Sequence, residues 1–219
     1  MIKLINSDCI KEIPKLKKES IDLIIADPPY NLKVDYGVCK DNLKKEDYLK
    51  WTKKWLKRCA RVLKESGSIY IINYSEMNSY VLRFCIPKEL MFQNWITWHY
   101  PTNIGHSKRN FTKSSRSILH LSKGNFFKFN NPDNLVIPDF LEINLVKNTS
   151  KEKVNGFPNQ IPLKLMKILI KIGSNEGDTV LDPFVGCGTT ASACQEMNRN
   201  CIGIELNADY VRMAKERLE

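Results

Sequence analysis

Nowhere in the 219 residues does an apolar run approach the roughly 18 to 20 positions that a membrane-crossing helix needs. The start, Met1-Ile2-Lys3-Leu4, has no charged segment followed by an apolar stretch and small residues, so no secretion signal is expected. Cysteine is present seven times, an odd number, and never as C-x-x-C. Neither a disulfide framework nor a zinc site is indicated, and a reducing cytoplasm fits. Acid is missing over one long stretch: between Glu89 and Asp133 there is no Asp or Glu, while Lys108, Arg109, Lys113, Arg116, Lys123 and Lys128 fall inside with all three His. That absence leaves an uncompensated positive field, in a chain whose net charge is +10, and favours a polyanionic partner. A second basic concentration, Lys40 to Lys64, coincides with an amphipathic helix, where a solvated face accounts for it as well as a binding one.

What is there is an alternation of short apolar runs and helical periods. Residues 2–5 read as a strand, followed by a short helix disturbed at Pro14. Ile21-Asp22-Leu23-Ile24-Ile25-Ala26 is a nearly unbroken apolar run, the pattern of a parallel strand covered on both faces. Pro28 and Pro29 lack the N–H that a continuing strand uses, so it ends at Asp27. Over residues 45–64, Tyr48, Trp51, Trp55, Cys59 and Val62 step by three and four with Lys and Arg opposite, which is a helix. Ser66-Gly67 is expected to end it before a strand at 68–72, and Ser75 to cap a helix reaching Phe84. Residues 95–100 and 117–122 read as strands around the basic segment, and 130–160 as a long, partly ordered connection. Pro162 opens a helix that Gly173 closes. A strand at 179–181, a glycine turn, a helix to about Asn198, a strand at 201–205 and a helix from Asn207 complete the chain. The expected class is a single α/β domain with a mostly parallel sheet.

Two motifs stand at strand mouths: Asp27-Pro28-Pro29-Tyr30, and Asp182-Pro183-Phe184-Val185-Gly186-Cys187-Gly188-Thr189-Thr190. The second, with Glu205 lying 19 residues beyond Gly186, fits a dinucleotide fingerprint when taken alone. Against that, only 14 residues follow Glu205, too few for a second nucleotide-binding half, and the turn holds no basic residue for a pyrophosphate. An acid at the strand end, Asp182, suits instead a cofactor with an ammonium and a sulfonium, such as S-adenosylmethionine, with Glu205 on its ribose. The remaining strands must then come from earlier in the chain. That arrangement lines Asp8 and Asp27 along the carboxyl edge of the sheet, where open α/β sheets bind ligands.

The first motif suits an exocyclic amine on a flat base, whose lone pair is delocalised into the ring. Two acceptors on its N–H groups, here the Asp27 carboxylate and the Pro28 carbonyl, favour the pyramidal form and free the lone pair for attack on a methyl group. Pro29 helps to fix the turn, and Tyr30 offers a face for an extruded base.

Together, in this order, the two motifs resemble those of the β-class amino methyltransferases of DNA. Asn6-Ser7-Asp8-Cys9 resembles that family's N-terminal motif, Pro158-Asn159-Gln160-Ile161-Pro162 the stretch before the cofactor strand, and Ile202-Gly203-Ile204-Glu205 the ribose-binding strand. The resemblance implies a seven-stranded, mostly parallel, Rossmann-like S-adenosylmethionine-dependent fold with circularly permuted motif order, base flipping in double-stranded DNA, and often restriction–modification. It implies cofactor contacts for Asp8, Cys9, Asp27, Asp182, Phe184, Gly186, Gly188, Thr189, Thr190 and Glu205. Residues 101–160 would hold a small target-recognition region, with Lys108, Arg109, Lys113 and Arg116 on phosphates and Asn103, His106 and Asn110 near base edges. Phe157 and Ile161 stand where the family often has His and Lys, and no acid occurs around Arg116, where many relatives place one. Many relatives dimerise; Trp51 or Trp55 could serve an interface, although core packing is the expectation. Asp at the first motif position favours adenine-N6 over cytosine-N4 methylation. An RNA or protein amine methyltransferase, and a non-catalytic nucleic-acid-binding module, are the other classes consistent with the motifs.

Overall fold

The structure, a computed structural model, describes residues 1–31, 42–102 and 108–219. The chain runs β1 (Ile2–Asn6), α1 (Cys9–Glu12), a 3-10 turn (Ile13–Lys15), β2 (Ile21–Ala26), α2 (Lys45–Val62), β3 (Leu63–Asn73), α3 (Ser75–Phe84), β4 (Met91–His99), β5 (Ser115–Ser122), β6 (Phe140–Glu142), α4 (Leu163–Gly173), β7 (Thr179–Asp182), α5 (Thr189–Glu196), β8 (Asn200–Glu205) and α6 (Ala208–Glu216). Among the described residues the sheet has eight strands in the order β1-β8-β7-β2-β3-β5-β4-β6. The expected seven are therefore joined by one more, the three-residue edge strand β6. Strands β1, β8, β7, β2 and β3 pair in parallel; β5 runs antiparallel to β3 and β4, and β6 lies parallel to β4.

All six residues of β2 are buried because the sheet is covered on both faces and successive side chains alternate between them. Ile24 and Ala26 pack with Ile69, Ile71 and the α2 residues Trp55, Leu56 and Cys59. Leu23 and Ile25 pack with Tyr70, Ile72 and the α4 residues Leu165, Leu169 and Ile170. Asp22 is the polar exception within β2. It is buried and accepts from Lys64 Nζ at 2.8 Å, Lys128 Nζ at 2.9 Å and the Thr179 amide at 3.1 Å, tying β2, β3, β7 and the segment after β5 together at the amino edge.

Several local expectations shift. β3 begins at Leu63, directly after α2, so Ser66-Gly67 lies inside the strand. The residue preceding α3 is Tyr74, with no side-chain cap, and Ser75 is the first helical residue. The free amide of Leu163 at the start of α4 is capped from a distance by Glu152 Oε2 at 2.9 Å. Part of the 130–160 connection thus has a fixed role, and residues 101–160 contribute the expected strand β5 and the further strand β6 to the sheet. Trp55 is fully buried in the core and is not an interface residue. The six described cysteines are buried and free. Among the described residues no helix is long and apolar enough to cross a membrane.

Candidate active site

Parallel pairing delivers β1, β2, β7 and β8 to one edge, carboxyl ends together, with Asn6 opposite Glu205 and Asp182 opposite Gly203. Asp8, Asp27, Asp182 and Glu205 follow at that edge, as the sequence led one to expect. The antiparallel direction of β5 adds something the sequence did not suggest. Its first residues lie at the same edge, Ser117 opposite Asn73 and Ser115 opposite His99, so the connection from Tyr100 to Ser114 leaves and returns beside the Asp-Pro-Pro-Tyr turn.

That turn is held from α2. The Tyr48 hydroxyl donates to the Pro29 carbonyl at 2.8 Å and accepts from Asn73 Nδ2 at 3.1 Å. Tyr48 thus engages the Pro29 carbonyl and not that of Pro28, the one expected to meet the target amine. The Tyr30 hydroxyl donates a short hydrogen bond to Asp27 Oδ1 and accepts from Arg116 Nη1 at 2.8 Å. Arg116 is only 4% exposed. Its guanidinium carbon lies 4.6, 5.6 and 5.2 Å from the ring centres of Tyr30, Tyr74 and Trp98. The expected phosphate contact from Arg116 is therefore incorrect: the side chain points into the sheet edge, where aromatic faces and a hydroxyl compensate its buried charge. Burial pushes the Asp27 carboxyl up to about 6, against the opposing pull of Arg116 and of the Tyr30 hydroxyl.

Beside the turn opens a cavity of about 310 Å³, within the range of small-molecule sites. Asp27 to Tyr30 form one wall, Asp8, Cys9 and Glu205 another, and Phe184 and Gly186 the base. Gly186 adopts φ 52°, and a Cβ there would stand 2.6 Å from Phe157 Cζ, so glycine lets that ring close over the turn. Phe157 in turn meets Tyr210 edge-on at 4.7 Å, and Trp51 packs on Phe184 at 5.4 Å. Asp8 Oδ1 caps α1 through the Ile10 amide at 2.8 Å. Glu205 accepts from the Gly186 amide at 3.1 Å and the Asn207 amide at 2.8 Å. The Cys9 thiol, pushed up to about 12 by burial and by neighbouring Asp8, stays neutral and serves as wall.

Four residues expected at the cofactor do not line the cavity: Asp182, Gly188, Thr189 and Thr190. They build the turn instead. Asp182 accepts from the Phe184 amide at 2.9 Å and from Thr190 Oγ1 at 2.5 Å, while Thr189 Oγ1 accepts from Arg217 at 2.9 Å. Gly188 adopts φ 84° with Ala214 packed against it. Burial raises the Asp182 carboxyl to about 7, opposed by those two hydrogen bonds and reinforced by Asp27 and Glu205 nearby. Glu205 is also raised by burial, against three backbone amides. Closely set, desolvated carboxylates of this kind favour a cationic ligand, whose charge relieves both burial and mutual repulsion. The residues present fit S-adenosylmethionine on that ground.

Sequence reasoning missed Tyr48, Trp51, Leu206 and Tyr210, which line the cavity together with Phe157, Pro158 and Asn159. Trp51 sat on the apolar stripe of a helix, where its role could not be separated from core packing. Phe157 carried a signal, as a departure from the family pattern.

Of the other basic candidates, Lys108, Arg109 and Lys113 are exposed, and Lys113 Nζ lies 4.7 Å from the Tyr74 ring centre. Lys123 and Lys128 are engaged at the opposite edge by Glu19, Asp22 and Asp178. Asn110 is exposed; Asn103 and His106 lie outside the described residues. In the second basic concentration, Arg58, Arg61 and Lys64 turn inward, onto carbonyls of residues 10–16 and onto Asp22.

The model of the DNA methylase family of N6/N4 methyltransferases matches residues 21–216. The chain belongs to that family. This DNA methylase is 38% identical over 234 residues to the type II methyltransferase M.HpaI of Haemophilus parainfluenzae, covering 99% of this chain and 74% of the relative. It is 30% identical over 243 residues to the DNA adenine methyltransferase YhdJ of Escherichia coli K12, covering 99% and 82%. Among solved structures, the M1.HpyAVI–SAM complex superposes with a TM-score of 0.80 at 29% identity, covering 100% of both chains. The cytosine-N4-specific PvuII DNA methyltransferase shares the fold, with a TM-score of 0.87 at 21% identity over 100% of this chain and 86% of its own. The DNA methylase is thus an S-adenosylmethionine-dependent enzyme acting on DNA, related to the methyltransferases of restriction–modification systems.

Proposed function

We propose that the chain transfers a methyl group to N6 of adenine in a short double-stranded DNA site, as the modification enzyme of a restriction–modification system. The observation that carries this is Asp27, held by Tyr30 at the rim of a carboxylate-walled cavity. When bound, S-adenosylmethionine supplies an electrophilic methyl group on a positively charged sulfur. Asp8, Cys9, Phe184, Gly186 and Glu205 would hold it, with Asp182 and Thr190 keeping the turn in shape. With Oδ1 taken by Tyr30, Asp27 Oδ2 is the oxygen that meets the target amine, and the Pro28 carbonyl is the second acceptor. These acceptors draw on the two N–H groups and release the nitrogen lone pair from the ring, so that the amine would take the methyl group in line as the carbon–sulfur bond breaks and its electron pair stays on sulfur. The proton lost by the methylated amine passes to Asp27, whose carboxyl is raised to about 6 and so serves as acceptor at neutral pH.

The base is extruded toward the cavity wall to which Tyr30 contributes, a residue 4% exposed whose ring is backed by Arg116. Lys108, Arg109 and Lys113 take phosphates beside it, and Phe111, 98% exposed among them, offers a stacking surface to bases. Adenine is favoured by aspartate at the first motif position and by the 30% identity to a DNA adenine methyltransferase. A homodimer in a reducing cytoplasm completes the proposal, and sedimentation reads its first part. DNA treated with the enzyme and labelled cofactor, digested to nucleosides, is expected to yield N6-methyladenine. N4-methylcytosine alone would overturn the choice of base.

A further inference from the structure

Arg116 is the one buried Lys or Arg among the described residues, and the proposed DNA and cofactor contacts do not account for it. It does not line the cofactor cavity. It arrives on β5, the antiparallel strand, and is walled by rings from three other elements: Tyr30 after β2, Tyr74 after β3 and Trp98 in β4. Its Nη1 donates to the Tyr30 hydroxyl at 2.8 Å, and that hydroxyl donates onward to Asp27 Oδ1. Its Nε is buried with no partner among the described residues, pressed between aromatic faces. Desolvating a guanidinium among neutral rings and hydroxyls is expensive unless a nearby negative charge answers it. Among the described residues the carboxylate linked to it is Asp27.

We propose that Arg116 is a positioning residue for methyl transfer, acting through Tyr30 to fix the orientation of Asp27 and to hold its carboxylate ionised. The proposal rests on the reading that Asp27 accepts from the target amine. The hydrogen-bond chain has one consistent direction, Arg116 to Tyr30 to Asp27. It spends the tyrosine proton on Oδ1 and leaves Oδ2 for substrate. It also gives the buried Asp27 a counter-charge that does not occupy the cavity. The other groups facing Asp27 and Arg116 are Asp182 at the end of β7, whose own carboxyl is held up in part by the Asp27 charge, and Tyr74 and Tyr100, whose hydroxyls act on Arg116. Tyr48 on α2 holds the turn through the Pro29 carbonyl. None of these supplies a second positive charge.

The test is the ionisation midpoint of Asp27, read by carbon-13 NMR of aspartate-labelled full-length protein, together with the acid limb of the single-turnover rate. Loss of a counter-charge raises a carboxyl, so Arg116→Met is expected to move both upward by about one pH unit, a roughly tenfold rate loss below the midpoint that recovers at high pH. Cofactor affinity should change less than about twofold. Arg116→Lys keeps the charge and should restore most of the shift; Arg116→Gln, neutral, should behave like Met and decides the matter if Met fails to fold. In a Tyr30→Phe background the Arg116→Met shift should shrink, because the link is already cut. A folded neutral variant with an unchanged midpoint would overturn the proposal, as would failure of both neutral variants to fold while Lys folds. Asp27→Asn separates the two ideas: if it retains transfer, the reading of Asp27 as acceptor fails, whatever Arg116 does to the midpoint.

Discussion

At the scale of single residues, Asp182 shows how an acid near a cofactor can serve the backbone. Both its oxygens are used by the turn it precedes, so it shapes the glycine turn while adding negative charge behind the cavity. Its carboxyl is raised to about 7 in the folded chain from the usual value near 4. Between those two pH values the native state binds more protons than the unfolded one, so stability falls as pH rises through the window. Asp27, raised to about 6, adds to this slope. Asp22, held low by Lys64 and Lys128 against its burial, acts with the opposite sign at lower pH. Asp182→Asn should remove on the order of 2–4 kcal/mol of the decline, as measured by urea unfolding from pH 4 to pH 8. An identical slope in wild type and variant would contradict the assignment. The same acids predict that affinity for cationic cofactor weakens below about pH 6 to 7, the range in which Asp27 and Asp182 take up protons, which calorimetry across that range would read.

At the scale of elements, α2 does two jobs with one stripe. Trp55 is fully buried in the core, whereas Trp51, one turn earlier, lines the cavity and packs on Phe184. Trp55→Ala should cost about 3–5 kcal/mol of stability. Trp51→Ala should cost less and weaken cofactor binding; equal effects of the two on both measurements would count against the division. Periodicity places both tryptophans on the buried side but carries no information about which neighbour each meets. The same limit explains Arg116. The parallel strands β2, β7 and β8 were legible because a continuous apolar run ending in Asp-Pro or Glu states both burial and its end. The direction of β5 was not, since an apolar strand reads alike either way round. Only the antiparallel pairing turns Arg116 toward Tyr30. Similarly, the 130–160 connection showed no sustained period because its order depends on side-chain bonds, such as Glu152 to the start of α4, that leave none.

At the scale of the whole molecule, charge is sorted. The net charge is +10, yet the cavity is ringed by Asp8, Asp27 and Glu205, and the exposed cations of the acid-free stretch gather at the same edge as Lys108, Arg109 and Lys113. On the proposed function, a cationic cofactor and a polyanionic substrate are thereby drawn to adjoining surfaces. Replacing those three cations with alanine should weaken DNA binding whatever the sequence and reduce the slope of log K against log salt by about 2 to 3. Cofactor affinity should be unchanged. A slope unaltered by the triple replacement would remove the segment from the interface.

The central claim is that this edge of the sheet transfers a methyl group through Asp27. Labelled-methyl transfer to DNA by wild type and Asp27→Asn, with cofactor binding measured on both, tests it directly. The account predicts that the variant binds cofactor within several-fold of wild type and loses transfer by at least about a hundredfold. Transfer at a comparable rate by the variant would contradict it.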